Sequence, residues 1–204
     1  PVRVGSSPPI QAMLDLGNGG NLTLGKADWS TIPELARLSH ADGRGGGVGG
    51  WHSLRNVILP EVTLGQHPFA NVPGELNERG GTGAATEMTN VGIGFLKQFN
   101  VDLDFGRDRL FLRPRPDAPS FERDRAGVGL ELHGDRLGVM FVSPQGPAAA
   151  AGLKPGDEIV AVDGRKITSD YYASDDWANG KAVRKVELTR ANGTKVRLTL
   201  ADYY

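Results

Sequence analysis

The sequence predicts a mainly β protein made of two small barrel-like β units with only short helices. Three observations predict it. Apolar runs are of strand length and end in Gly, Asn or Asp turn signals. The 29 glycines and 13 prolines in 204 residues break up any long helix. Pro114, Pro116 and Pro119 crowd into one short stretch, which stiffens it and denies it helix or central strand. That stretch divides the chain into a unit over residues 1–115, a linker over 116–122 and a unit over 123–204.

The elements follow in order. Pro9–Leu16 is apolar and strand-like, and Asn18-Gly19-Gly20 turns it. Asn21–Leu24 is a second short strand. Asp28–Ser39 fits a short helix, with Leu35 and Leu38 three apart. Gly43–Gly50 is a flexible loop or hairpin tip, since six of its eight residues are glycine. Arg55–Gly65 reads as strand. Val91–Phe105 passes from a turn through a short helix into an alternating strand, and Arg109–Pro114 closes a hairpin across Gly106-Arg107-Asp108. In the second unit Pro147–Ala151 is a short helix with Pro at its start and Gly152 after its end. Asp163-Gly164 and Asn192-Gly193 are hairpin turns.

Composition removes several function classes. Net charge is −1 and no basic patch shows along the chain, which argues against nucleic acid as a partner. There is no cysteine, so disulfides and thiolate metal sites are excluded. His40, His52, His67 and His133 lack metal-ligand spacing, and no cofactor is expected. Gly45, Gly47 and Gly50 satisfy GxGxxG, but a run this rich in glycine does so automatically. No apolar run approaches the ~20 residues of a membrane helix. The chain starts at Pro1 without Met and reads as a fragment or processed form.

Chemistry first appears at Asp15. An Asp that ends an apolar strand and is followed by x-Gly sits where backbone N–H groups reach its carboxylate, and Gly17 permits their close approach. The bland alternative is an ordinary strand-to-turn Asp. The order around it weighs toward function. Leu14-Asp15-Leu16-Gly17-Asn18 begins it. Gly92-Ile93-Gly94-Phe95-Leu96 running to Phe99, Val101 and Asp104 fits G-x-x-F-L-x-x-F-x-V-x-x-D. Residues 9–114 thus resemble one lobe of a retropepsin-like aspartic peptidase.

The resemblance implies that Asp15 is one catalytic carboxylate, with Gly17 as its backbone support. It also implies that Gly45, Gly46, Gly47, Val48, Gly49 and Gly50 form a flap over bound peptide. Two residues depart from the family. Leu16 stands where it has Thr or Ser, and Asn90 where an apolar residue is usual. The chemistry needs two carboxylates sharing one proton, so a second Asp-bearing lobe is required, upstream on the same chain or from a homodimer. Asp102 and Asp104 are read as hairpin and surface charges.

In the second unit, Ala151-Gly152-Leu153-Lys154-Pro155-Gly156-Asp157-Glu158-Ile159-Val160-Ala161-Val162-Asp163-Gly164 resembles a PDZ domain of the bacterial, circularly permuted kind, over residues 126–200. The resemblance implies capture of an extended polypeptide or a C-terminal peptide at a sheet edge. Gly127, Val128, Gly129 and Leu130 would be the carboxylate-binding loop, and Leu130 to Leu132 the edge strand. A groove helix is expected over 169–178, with Tyr172 or Trp177 as pocket, core or surface residues. The expected function is an aspartic endopeptidase with a polypeptide-binding PDZ domain. Its competitor is an inactive lobe acting as a scaffold, with peptide binding the whole function. A peptidase lobe joined to a PDZ domain resembles extracytoplasmic bacterial proteins, periplasmic or secreted, by analogy of fold.

Overall fold

A computed structural model describes residues 1–47, 50–79, 88–171, 177–180 and 182–204. The chain forms two compact units, Pro1–His40 with Gly46–Glu122, and Ala41–Gly45 with Arg123–Tyr204. Both are mostly β, with short helices, and no described helix is long and apolar enough to cross a membrane.

In the first unit the strand order is β1-β5-β6-β3-β7-β2. The strands are β1 (Val2–Val4), β2 (Met13–Asp15), β3 (Leu22–Leu24), β4 (His40–Gly47), β5 (Gly50–Leu64), β6 (His67–Asn77) and β7 (Asn90–Gly92). The long β5–β6 hairpin holds register from Leu64↔His67 to Leu54↔Asn77. Its turn uses Gly65 at φ 63°. Strand β6 contains Pro68 and Pro73. It pairs with β3 only at Glu75 and Leu76, so both prolines sit where one side of the strand has no ladder to complete. Leu22, Leu24, Val57, Leu59, Val72, Leu76, Val91 and Phe95 are buried together as the core.

The single helix expected over Asp28–Ser39 is two separate turns, α1 (Lys26–Trp29) and α2 (Pro33–Ala36). Pro33 supplies no N–H and forces Ile32 into extended backbone (φ −109°, ψ 98°), which ends one turn and begins the next. After α3 (Ile93–Leu96), β8 (Phe99–Asp104) and β9 (Arg109–Pro114) form a two-stranded sheet. The residues read as a linker, 116–122, lie on this unit. The Gln98 amide donates to Pro119 O at 2.9 Å and the Asn21 amide to Glu122 O at 3.0 Å. Phe121 packs its ring 5.3 Å from Phe95 and 5.8 Å from Phe69.

The second unit is a six-stranded sheet in the order β10-β11-β12-β14-β15, with β13 beside β12. The strands are β10 (Val128–His133), β11 (Arg136–Val142), β12 (Glu158–Val162), β13 (Arg165–Lys166), β14 (Lys185–Arg190) and β15 (Lys195–Thr199). Asp163 and Gly164 both take positive φ (49° and 79°), as the two-residue turn between β12 and β13 demands. Helix α4 (Pro147–Ala150) starts on Pro and is followed by Gly152 at φ 80°. Leu137, Ile159, Trp177, Leu188 and Leu200 are fully buried. Trp177 is therefore core, and Tyr172 lies outside the described residues.

Candidate functional site

Asp15 is the last residue of β2, in parallel register with Gly92 of β7. Its Oδ1 accepts from the N–H groups of Gly17 (2.9 Å) and Asn18 (3.1 Å). Two donors on one oxygen fix the direction of the carboxylate. A Cβ on Gly17 would stand 3.3 Å from that oxygen, so the bare backbone is what lets the loop close on it. Leu16, between them, is 64% exposed.

Asn18 organises the rest of this loop. Its Nδ2 donates to Asn90 Oδ1 at 2.6 Å and to Thr23 Oγ1 at 3.4 Å. Its Oδ1 accepts from Gly20 N at 2.8 Å, and its carbonyl from Ile93 N at 2.8 Å. The loop can lie this close to β7 and α3 only because residues 92 and 94 are glycine. A Cβ on Gly92 would fall 2.2 Å from Gly20 O, and one on Gly94 2.5 Å from Asn21 Oδ1. Thr23 in turn donates to Glu75 Oε2 at 2.8 Å. Burial pushes the Glu75 carboxyl above its usual range, and the Thr23 hydroxyl pulls the other way.

The remaining carboxylates nearby are engaged structurally. Asp28 Oδ2 accepts from the buried Thr89 hydroxyl at 2.6 Å. Asp102 pairs with Arg113 and Asp104 with Arg107 on the surface. Among the described residues no group of three His, Asp or Glu could hold a metal ion.

Of the residues assigned to a flap, Gly45, Gly46 and Gly47 belong to β4, and Gly50 opens β5 at φ 90°. Val48 and Gly49 lie outside the described residues. Trp51, at the end of the segment assigned to the flap, lays its ring against Gly46. A Cβ there would meet three ring atoms at 3.0–3.2 Å. Trp51 stays 42% exposed. Burial holds its neighbour His52 below the usual imidazole range; the Gly50 backbone opposes this and the Arg79 charge adds to it.

In the second unit the chain enters β10 through Gly127, at φ 71°, packed against Gly146. The N–H groups of Ala126 and Gly127 donate to Asp124 Oδ1 at 2.8 and 3.0 Å, and the Tyr203 hydroxyl donates to Oδ2 at 2.7 Å. Gly127 was expected to offer its N–H to a ligand carboxylate; that donor is instead used by a carboxylate of the chain itself. Asp124 carries no motif that would have marked it. Val128, Leu130 and Leu132 pack against the core, and a bulge separates Gly129 from Leu130. Among the described residues β10 pairs only with β11, so it is an edge strand.

Residues 125–200 match the family model of the PDZ domain. Over 51% of this chain and 79% of the other, the fold is similar to a retropepsin-like aspartic protease from Rickettsia conorii, at 22% identity and a TM-score of 0.37. The chain is also similar to the HtrA-type protease AlgW with a decapeptide, at 17% identity and a TM-score of 0.35, with 93% of this chain and 63% of that one covered. A serine endoprotease from Yersinia pestis is matched at 18% identity and a TM-score of 0.34, over 81% of this chain and 62% of that one. The chain thus spans less than two thirds of either of these two protease structures. No curated protein sequence matches it. The second unit thus matches the PDZ domain family over residues 125–200.

Proposed function

We propose that the first unit supplies one aspartate of an aspartic-type endopeptidase and that the PDZ domain holds polypeptide for it. The observation that carries this reading is the Asp15 carboxylate, aimed by the N–H groups of Gly17 and Asn18 at the end of β2. Such a carboxylate, facing an equivalent one, would share a proton with it; the pair would activate a water for attack on a peptide carbonyl. The second Asp comes from another lobe, on the same polypeptide or from a second copy of this one. Gly127 serves the PDZ loop through its conformation rather than as a donor. The β10 edge receives the peptide as an added strand.

The test is cleavage of a denatured protein from acidic to neutral pH, by this chain and by the longer gene product. Each is compared with its Asp15→Asn variant. Cleavage that disappears in the variant supports the reading. Full activity in the Asp15→Asn form of a cleaving protein overturns it.

A second reading rests on Leu16, exposed and without the hydroxyl that the family uses to lock two lobes. On it the lobe is an inactive scaffold and peptide capture is the whole function. Absence of cleavage by both chain lengths, with peptide binding retained, would favour it.

A further inference from the structure

We propose that the β10 edge selects peptides carrying Lys or Arg at the penultimate position, and that Glu131 is the residue that selects them. The proposal rests on the PDZ reading above and adds the chemistry of the ligand.

The argument begins with alternation. Leu130 and Leu132 face the core, so Glu131 and His133 face the opposite side of the sheet. The bulge lies before Leu130, and pairing is regular beyond it: Leu130↔Val139, Glu131↔Gly138, Leu132↔Leu137, His133↔Arg136. Glu131 therefore stands opposite a glycine and has no side chain across the ladder on the β11 side. The His133 ring fills that gap. A Cβ on Gly138 would be 3.2 Å from His133 Cδ2, and His133 Nε2 lies 3.5 Å from Glu131 Oε2. The guanidinium nearest in the ladder, Arg136, is held by Glu158 at 2.9 Å and Asp135 at 3.5 Å. Glu131 is 45% exposed, on a strand that pairs only with β11 among the described residues.

A peptide that adds to β10 antiparallel, with its carboxyl end at the loop over 127–130, puts its last side chain level with Leu130 and inward. Its penultimate side chain then stands level with Glu131 and outward. Directly opposite residues of an antiparallel pair have Cβ atoms within ~5.5 Å, and opposite charges there attract while like charges repel. A cation at that position meets Glu131 on its open side. An acidic residue meets the Glu131 carboxylate, beside which the described residues place only the His133 imidazole, at 3.5 Å.

The experiment uses the 204-residue chain and a set of fluorescent peptides with a common apolar last residue. They differ only in carrying Lys, Ala or Glu at the penultimate position. Fluorescence anisotropy should give Lys the tightest binding, with a Lys-to-Glu ratio of about five- to tenfold that shrinks as salt rises. Glu131→Gln should flatten the ratio and Glu131→Lys should invert it; both replace an exposed residue, and unchanged thermal unfolding verifies that the fold is kept. An unaltered order in Glu131→Lys overturns the assignment. So does binding that ignores the penultimate residue, and in that case peptide capture itself still stands. Failure of every peptide in a fully randomised set to bind overturns the PDZ reading together with the inference.

Discussion

Asn18 and Asn90, 72 residues apart, are joined side chain to side chain by a 2.6 Å hydrogen bond. Asn90 occupies a place where the resembled family uses an apolar residue. In isolation that polar side chain looks like decay of the site. The contact gives it a task, since the same Asn18 whose side-chain amide donates to it also donates its backbone N–H to Asp15. Removing one partner leaves a part-buried amide without its mate, which costs about 1–2 kcal/mol. Asn90→Leu and Asn18→Ala should each lower the unfolding free energy of the first unit by roughly that amount. The double variant should lose less than the two single losses together, by about 1 kcal/mol. Strict additivity in urea unfolding would show that the pair is not coupled.

Glu75 predicts a pH dependence of the same unit. Burial raises its folded-state value above that of the unfolded chain. The folded state then holds a proton that the unfolded state has already released. The stabilising contribution is full below the unfolded value and is lost as pH rises through the folded one. Unfolding midpoints measured from mildly acidic to neutral pH should fall across that window. Glu75→Gln keeps the shape and an acceptor for Thr23, and its midpoint should be flat there. A wild-type midpoint that rises through the window would contradict the assigned sign.

Much of this was legible in the sequence, for reasons tied to particular residues. Turns were readable because Asp163-Gly164 needs positive φ at both positions, a demand few residue pairs meet. The start of α4 was readable from Pro147 and its end from Gly152. What failed was whatever depended on tertiary context. Strand β6 was not among the elements read from the sequence; it contains Pro68 and Pro73, whose tolerance depends on the short reach of β3. The two turns α1 and α2 were merged because leucine spacing outweighed Pro33. At the candidate sites, Asp15 and the β10 edge were visible as motifs. Asp124 was not, and neither were the contacts of Asn18 and Trp51, because they are made with residues remote in sequence or by ring packing on a glycine.

Gly92 and Gly19 separate close approach from mere turn composition. A Cβ on Gly92 would overlap the Gly20 carbonyl, whereas one on Gly19 meets nothing within 4 Å. Backbone stands in the way at residue 92, so no side-chain rotation relieves the clash. Gly92→Ala should cost about 3 kcal/mol or more. Gly19→Ala should stay within about 1 kcal/mol of the parent. Circular dichroism melts of the two variants give the comparison, and equal midpoints would refute it.

Phe121 tests where the first unit ends. Its ring sits between Phe95 and Phe69, beyond the prolines that suggested a linker. A partly buried aromatic in such a cluster contributes about 2 kcal/mol. Phe121→Ala should therefore lower the unfolding midpoint of the first unit and leave that of the second unchanged. A chain ending after Glu122 should also be more stable than one ending after Arg115. Identical stability of those two truncations would return the segment over 116–122 to the status of a linker.

Gly127 and Gly129 look alike in the sequence, and the structure sets them apart. Gly127 sits at φ 71°, where an L side chain is strained by about 1–2 kcal/mol. Its added Cβ would also press to 2.8 Å from the Cα of Gly146. Both are backbone constraints, so the loop would have to move and release the Asp124 bonds to Ala126 and Gly127. Gly129 has no positive φ, and a Cβ there would meet Phe141 Cβ at 3.4 Å, an ordinary contact. Gly127→Ala should thus destabilise the second unit by about 3 kcal/mol, whereas Gly129→Ala should change it by less than about 1 kcal/mol. Peptide binding follows the same order, because a displaced loop misaligns the start of the β10 edge. Wild-type stability and affinity in Gly127→Ala would mean that the loop tolerates a side chain facing Gly146, and that its glycine has no conformational role.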